Sequence, residues 1–325
     1  MFYMPQIMQI KDYLPVRVLM PNCIDWFSKI SESLNDDVKN SIQYYGLNPK
    51  VEYHTEKRLI NDIAYINNGQ IHIFENYNQY LWSVSYYMLV IFDDCIQEPM
   101  INGAYNYKIE YDTPNKEIAL AQYISARKLL SDYEADYFWK LPNCEMPSEE
   151  YAEIVGKVNG IFSAGIAFII AHEFAHKYLG HSDNVQKEDS IKQELDADNC
   201  AIENINNTFK REECINYKLG IIAVISSFLF MSKDSISWND THPDWVSRIQ
   251  NAIEKLELSE DDNLWGIASF AILMWMNGYK EFSENTPPAG FENYKESFCF
   301  YLNQLREIRN KLYPYSRPCK KPWEI

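Results

Sequence analysis

The sequence predicts a mainly α (α+β) protein, a helical core with a small β-hairpin or sheet beside it, on three observations. Hydrophobic residues make up 46% of the 325 residues, enough to bury a sizeable core in one large domain or two unequal ones. Gly (11) and Pro (14) are scarce beside 24 Tyr, 16 Phe and 8 Trp, a balance that suits packed helices better than loops. Apolar residues recur at helical spacing along most of the chain, with one clear exception.

Along residues 21–45, Ile24, Phe27, Ile30, Leu34, Val38 and Ile42 keep a helical repeat that stops at Gly46. The exception comes next. Ile63-Ala64-Tyr65-Ile66 and Ile71-His72-Ile73-Phe74 flank Asn68-Gly69, the pair that most strongly signals a two-residue hairpin turn. Helical spacing resumes over 76–92, breaks over 99–114 and returns over 116–139. The prolines at 142 and 147 set an expected boundary between an N-terminal region, 1–147, and a helical core, 148–325. That core should open with a long helix capped by Ser148 and bent at Gly156 and Gly160, ending at Gly180. Ser190-Ile191-Lys192-Gln193 matches a capping box and should open another. Further helices are expected over 210–231, 243–256, 260–276 and 291–312.

The formal net charge of -16 is spread along the chain and weighs against nucleic acid or an anionic lipid surface as partner. Seven cysteines, at 23, 95, 144, 200, 214, 299 and 319, form no C-x-x-C pair and suit a reducing, cytoplasmic compartment. The N-terminus lacks the basic start and apolar run of a signal peptide. The apolar stretches 161–171, 219–231 and 264–276 are each shorter than the roughly 18 to 20 residues that span a bilayer, so no membrane is expected.

One pattern carries chemistry. His172-Glu173-Phe174-Ala175-His176 lies inside the long predicted helix. Residues four apart share a helix face, so both imidazoles can reach one ion while Glu173 projects beside it as a general base. Catalytic zinc usually takes three protein ligands and keeps a fourth position for water. His181 does not fit the metzincin pattern, whose third His would fall at Ser182, and reads as a solvent-facing residue after the helix. Glu194, on the next predicted helix, is the better third ligand. Asp198, one turn further on the same face, could orient a ligand histidine from behind. Asp196 reads as surface charge, His72 as a sheet-surface residue, and His54 has no context. His242, before Pro243 at a helix start, reads equally as an oxyanion donor or an N-terminal cap. Arg248 reads as an electrostatic anchor of the site or an ordinary surface residue.

These residues resemble the gluzincin metallopeptidases, which join His-Glu-x-x-His to a downstream Glu-x-x-x-Asp, here Glu194 to Asp198. The Glu-x-x-Ala-Asp form, with His242-Pro243 and Arg248-Ile249, is similar to the HtpX and CAAX-protease group, whose members are membrane proteins. A group with the same motif order and no membrane spans is the Lit-type phage-exclusion peptidase family, known for cleaving elongation factor Tu. The motif resemblance covers about residues 161–249, and the 63–74 hairpin resembles the substrate-side edge strand of gluzincins. It implies a zincin-like helical core with one Zn2+ per chain, held by His172, His176 and Glu194, and a protein substrate. The alternatives are a non-proteolytic zinc-binding regulator and a peptidase that cleaves a repressor of a mobile element.

Overall fold

A computed structural model describes residues 13–32, 50–56, 59–60, 63–98, 110–133, 135–145, 147–182, 185–209, 215–237, 243–260, 262–279 and 291–314. The fold is mainly helical with one small sheet, as the composition and periodicity predict. Helix α1 spans Met20–Glu32, α2 Glu75–Phe92, α3 Pro114–Lys128, and the single-turn α4 Asp136–Trp139. Then come α5 (Ala152–Tyr178), α6 (Lys187–Thr208), α7 (Ile215–Met231), α8 (Trp245–Lys255), α9 (Asn263–Asn277) and α10 (Tyr294–Leu312).

Helix α5 is the axis of the molecule. Helices α1, α2, α6 and α7 all pack on it, and the sheet leans against its side. Its residues from Ile161 to Ala171 are buried around the whole circumference, the pattern of a helix enclosed by others rather than lying on a surface. With the 3-10 turn before it, the segment Glu149–Tyr178 is long and apolar enough to cross a membrane, and 72% of its most apolar window is buried inside the protein. The reading that the apolar run here is too short for a span fails on length, since the helix continues on both sides of residues 161–171. Burial accounts for its apolarity.

The sheet has strand order β1-β3-β2, with β1 at Lys50–His54, β2 at Ala64–Asn67 and β3 at Gln70–Phe74. The hairpin is the expected one: β2 and β3 pair antiparallel across Asn68 and Gly69, whose φ angles of 50° and 76° are those of a type I′ turn. Strand β1, parallel to β3, is not expected from the sequence. A parallel strand needs a partner remote in the chain, and the local alternation of Val51 and Tyr53 is too short to announce it.

Several boundaries differ from expectation. Helix α1 is described only to Glu32, and 33–49 with the expected stop at Gly46 lies outside the described residues. Ser148 makes no capping hydrogen bond and precedes a 3-10 turn, Glu149–Tyr151, while α5 runs through Gly156 and Gly160 without interruption. Helix α6 opens at Lys187, so Ser190 sits in its first turn rather than at its cap. Pro243 precedes the cap of α8, which is Asp244, its carboxylate accepting from the Ser247 N–H at 3.0 Å. The next helix starts at Asn263, capped by Asp262.

Candidate active site

The last two turns of α5 carry His172, Glu173 and His176 into a cleft of about 660 Å³, whose other walls include Glu194 of α6, Phe228 of α7 and the β2 strand. The spacing does what helix geometry requires: four residues apart, the two imidazoles meet on one face, with Nε2 of His172 and Nε2 of His176 3.1 Å apart. Helix α6 packs against α5 and brings Glu194 to both. Its Oε2 lies 3.6 Å from His172 Nε2, and its Oε1 3.4 Å from His176 Nε2.

Two imidazole nitrogens 3.1 Å apart therefore face the two oxygens of one carboxylate, Oε1 at 3.4 Å from His176 and Oε2 at 3.6 Å from His172. Donors at about 2.0 to 2.1 Å from a tetrahedral zinc are about 3.3 Å from one another. The donor set, two neutral-capable imidazoles and a carboxylate, also matches zinc chemistry, so His172, His176 and Glu194 fit a metal ion.

Both ligand histidines are held from behind. His172 Nδ1 lies 2.9 Å from Asp198 Oδ1, at ion-pair distance. Asp198 is itself gripped by Arg248, whose Nε donates to Oδ2 at 2.9 Å and whose Nη2 donates to Oδ1 at 2.7 Å. Arg248 is thus no ordinary surface residue. It is buried, forked onto Asp198 and laid over the Phe228 ring at 4.8 Å.

His176 is held by a residue that the sequence places in solvent. Helix α5 ends in a Schellman motif: Gly180 takes φ 70°, its N–H donates to Lys177 O at 3.2 Å, and the His181 N–H donates to His176 O at 2.9 Å. The turn folds His181 back, and its Nδ1 lies 2.9 Å from His176 Nδ1. The only signal in the sequence is Gly180 itself, whose left-handed conformation redirects the chain at the helix end. Asp196 is half-buried on α6. His242 lies outside the described residues.

The electrostatics divide the site. Burial opposes charge on His172, yet contacts with Asp198 and Glu194 outweigh it and hold the ring up to about 10. Burial and the neighbouring His172 take His176 down to about 4. Burial also pushes the Glu173 carboxyl up to about 7, with His172 working against it. For Asp198, burial would raise the carboxyl, but the Arg248 guanidinium and His172 hold it well below the usual carboxylate range.

By fold and site, this is a mainly helical protein with a histidine and glutamate centre at the floor of an open cleft. The chain belongs to the peptidase U49 family, whose profile matches residues 71–268, and it is a peptidase. The match runs from β3 into α9 and takes in every residue of the centre. Neither the curated proteins nor the solved structures return a match.

Proposed function

We propose that this peptidase is a zinc-dependent endopeptidase of the gluzincin type, with one catalytic zinc held by His172, His176 and Glu194. The observation that carries the reading is the convergence of His172 Nε2, His176 Nε2 and the Glu194 carboxylate, with nitrogen–nitrogen and nitrogen–oxygen separations close to those between donors of a tetrahedral zinc site. Bound there, zinc would supply Lewis-acid polarisation of the scissile carbonyl and acidify a water. Glu173, beside the ligands on the cleft wall, takes the proton from the attacking water and delivers it to the leaving amine. Asp198 orients the His172 ring and is held in turn by Arg248.

Strand β2 supports a peptide substrate. Among the described residues it is an edge strand of its sheet, and Ala64, Tyr65, Ile66 and Asn67 line the cleft, so an extended chain can add to that edge beside Glu173. The motif order His172 to His176, Glu194 to Asp198, then Arg248 is that of the Lit-type resemblance, and a cytoplasmic translation factor is the substrate class it suggests.

Terminal labelling of a bacterial lysate treated with the wild-type protein, paired with Glu173→Gln, tests the reading. One dominant new N-terminus that requires Glu173 is the expected result. Glu173→Gln should retain one zinc in the cleft, whereas His172→Ala and Glu194→Ala should lose it. Cleavage undiminished in Glu173→Gln, or zinc retained at the cleft by both ligand variants, would overturn it.

A further inference from the structure

A second group of histidines lies on the sheet, outside the catalytic cluster. In the parallel β1/β3 register, Glu52 pairs with His72 and His54 pairs with Phe74. Side chains two apart on a strand share a face, so Glu52 and His54 stand beside His72 on one side of the sheet. The opposite side buries Ile71 and Ile73 in the core. His54 Nε2 is 2.8 Å from His72 Nδ1, and His72 Nδ1 is 3.6 Å from Glu52 Oε2. All three donor atoms fall within 4.8 Å of one another.

The rings are fixed before any ion arrives. His72 stacks between His54, at 5.1 Å, and Tyr65 of β2, at 4.5 Å, while His54 also stacks on Phe74 at 4.8 Å. Glu56 Oε1 lies 3.3 Å from His54 Nδ1. A carboxylate there accepts the Nδ1–H and leaves Nε2 as a lone pair facing His72, the arrangement in which an outer carboxylate orients a metal-bound imidazole. Glu52 adds a second set of lone pairs to the same point. A single proton between the two imidazoles serves one contact, whereas a divalent cation serves all three donors.

We propose that Glu52, His54 and His72 form a second metal site, for a divalent transition ion such as zinc, cobalt or nickel, which imidazole and carboxylate donors select. The ion ties β1 to β3, and Tyr65 stacked on His72 links that clamp to β2, the strand that walls the catalytic cleft. Its role is to hold the sheet. The proposal is independent of the catalytic reading, since none of its three ligands lines the cleft.

The test is equilibrium titration of chelator-stripped protein with Zn2+ alone, read as zinc bound per chain, with cobalt absorption as a second readout. Wild type should bind two, the His54→Gln/His72→Gln variant one, and Glu194→Ala the other one. The double variant should keep Glu173-dependent cleavage. Because that variant can disturb the stacked rings, Glu56→Gln serves as the mild probe. It removes only the orienting carboxylate, and weakens zinc binding at this site about tenfold or more while unfolding stays cooperative. Zinc lost on His54→Gln/His72→Gln but kept in His172→Ala would support this site even if the catalytic reading failed. A wild-type stoichiometry of one, unchanged by His54→Gln/His72→Gln, would overturn it.

Discussion

Asp198 joins the candidate ligand His172 to the buried Arg248, and the three form a relay from cleft to core. Removing one member leaves an uncompensated charge with almost no access to water. Arg248→Ala should therefore cost about 3 to 5 kcal/mol of stability, read as a lower urea midpoint. Combining Asp198→Leu with Arg248→Met should restore much of that loss, because apolar groups of similar volume need no partner. A double variant as unstable as Arg248→Ala alone would mean that the pair acts through packing on Phe228 rather than through charge.

Among elements, α5 and α7 make the closest approach around the helix that carries His172, Glu173 and His176. The backbones meet where a Cβ on Gly220 would come within 2.6 Å of Gly165 N and 2.9 Å of Ile161 O. Both are backbone atoms that cannot turn aside. Gly220→Ala should force the helices apart and destabilise the protein by about 1 to 3 kcal/mol. Gly156, also in α5, has nothing within 4 Å of such a Cβ, and Gly156→Ala should stabilise by up to about 1 kcal/mol through helix propensity. Thermal denaturation of the two variants, expected to shift in opposite directions, checks both. From sequence, Gly156 and Gly160 look like bends, and the close approach at Gly165 and Gly220 gives no local sign. An alanine-like spacing in one helix says nothing about which glycine faces another backbone.

At the scale of the molecule, one core cluster takes in residues from Leu14 to Ile308, and the thiols inside and outside it differ in reactivity. Burial pushes Cys23 and Cys144 up to about 12, while Cys299 is exposed. Iodoacetamide on the native protein at mildly alkaline pH should label Cys299 and spare Cys23 and Cys144 until the chain unfolds. The sign for stability follows. These thiols stay protonated in the folded state above the ordinary value of 9.0, so their contribution is full below that pH. It is lost as pH rises from about 9 toward about 12. Midpoints that stay flat over that window would contradict their burial.

What the sequence determined by itself is what short-range physics controls. The helical class follows from apolar periodicity, the β2–β3 hairpin from the positive φ angles that Asn68 and Gly69 accept, and the shared face of His172 and His176 from four-residue spacing. Tertiary structure alone decided the rest. Strand β1 exists because β3, remote in the chain, supplies its hydrogen bonds. Glu194 meets both imidazoles because α6 crosses α5 at that turn, and Arg248 is buried because α8 packs on α6 and α7. His181 reaches His176 through a left-handed glycine whose effect depends on what lies beneath it. Spacing along a chain encodes direction on one element, and convergence of several elements is set by the packing that buries them together.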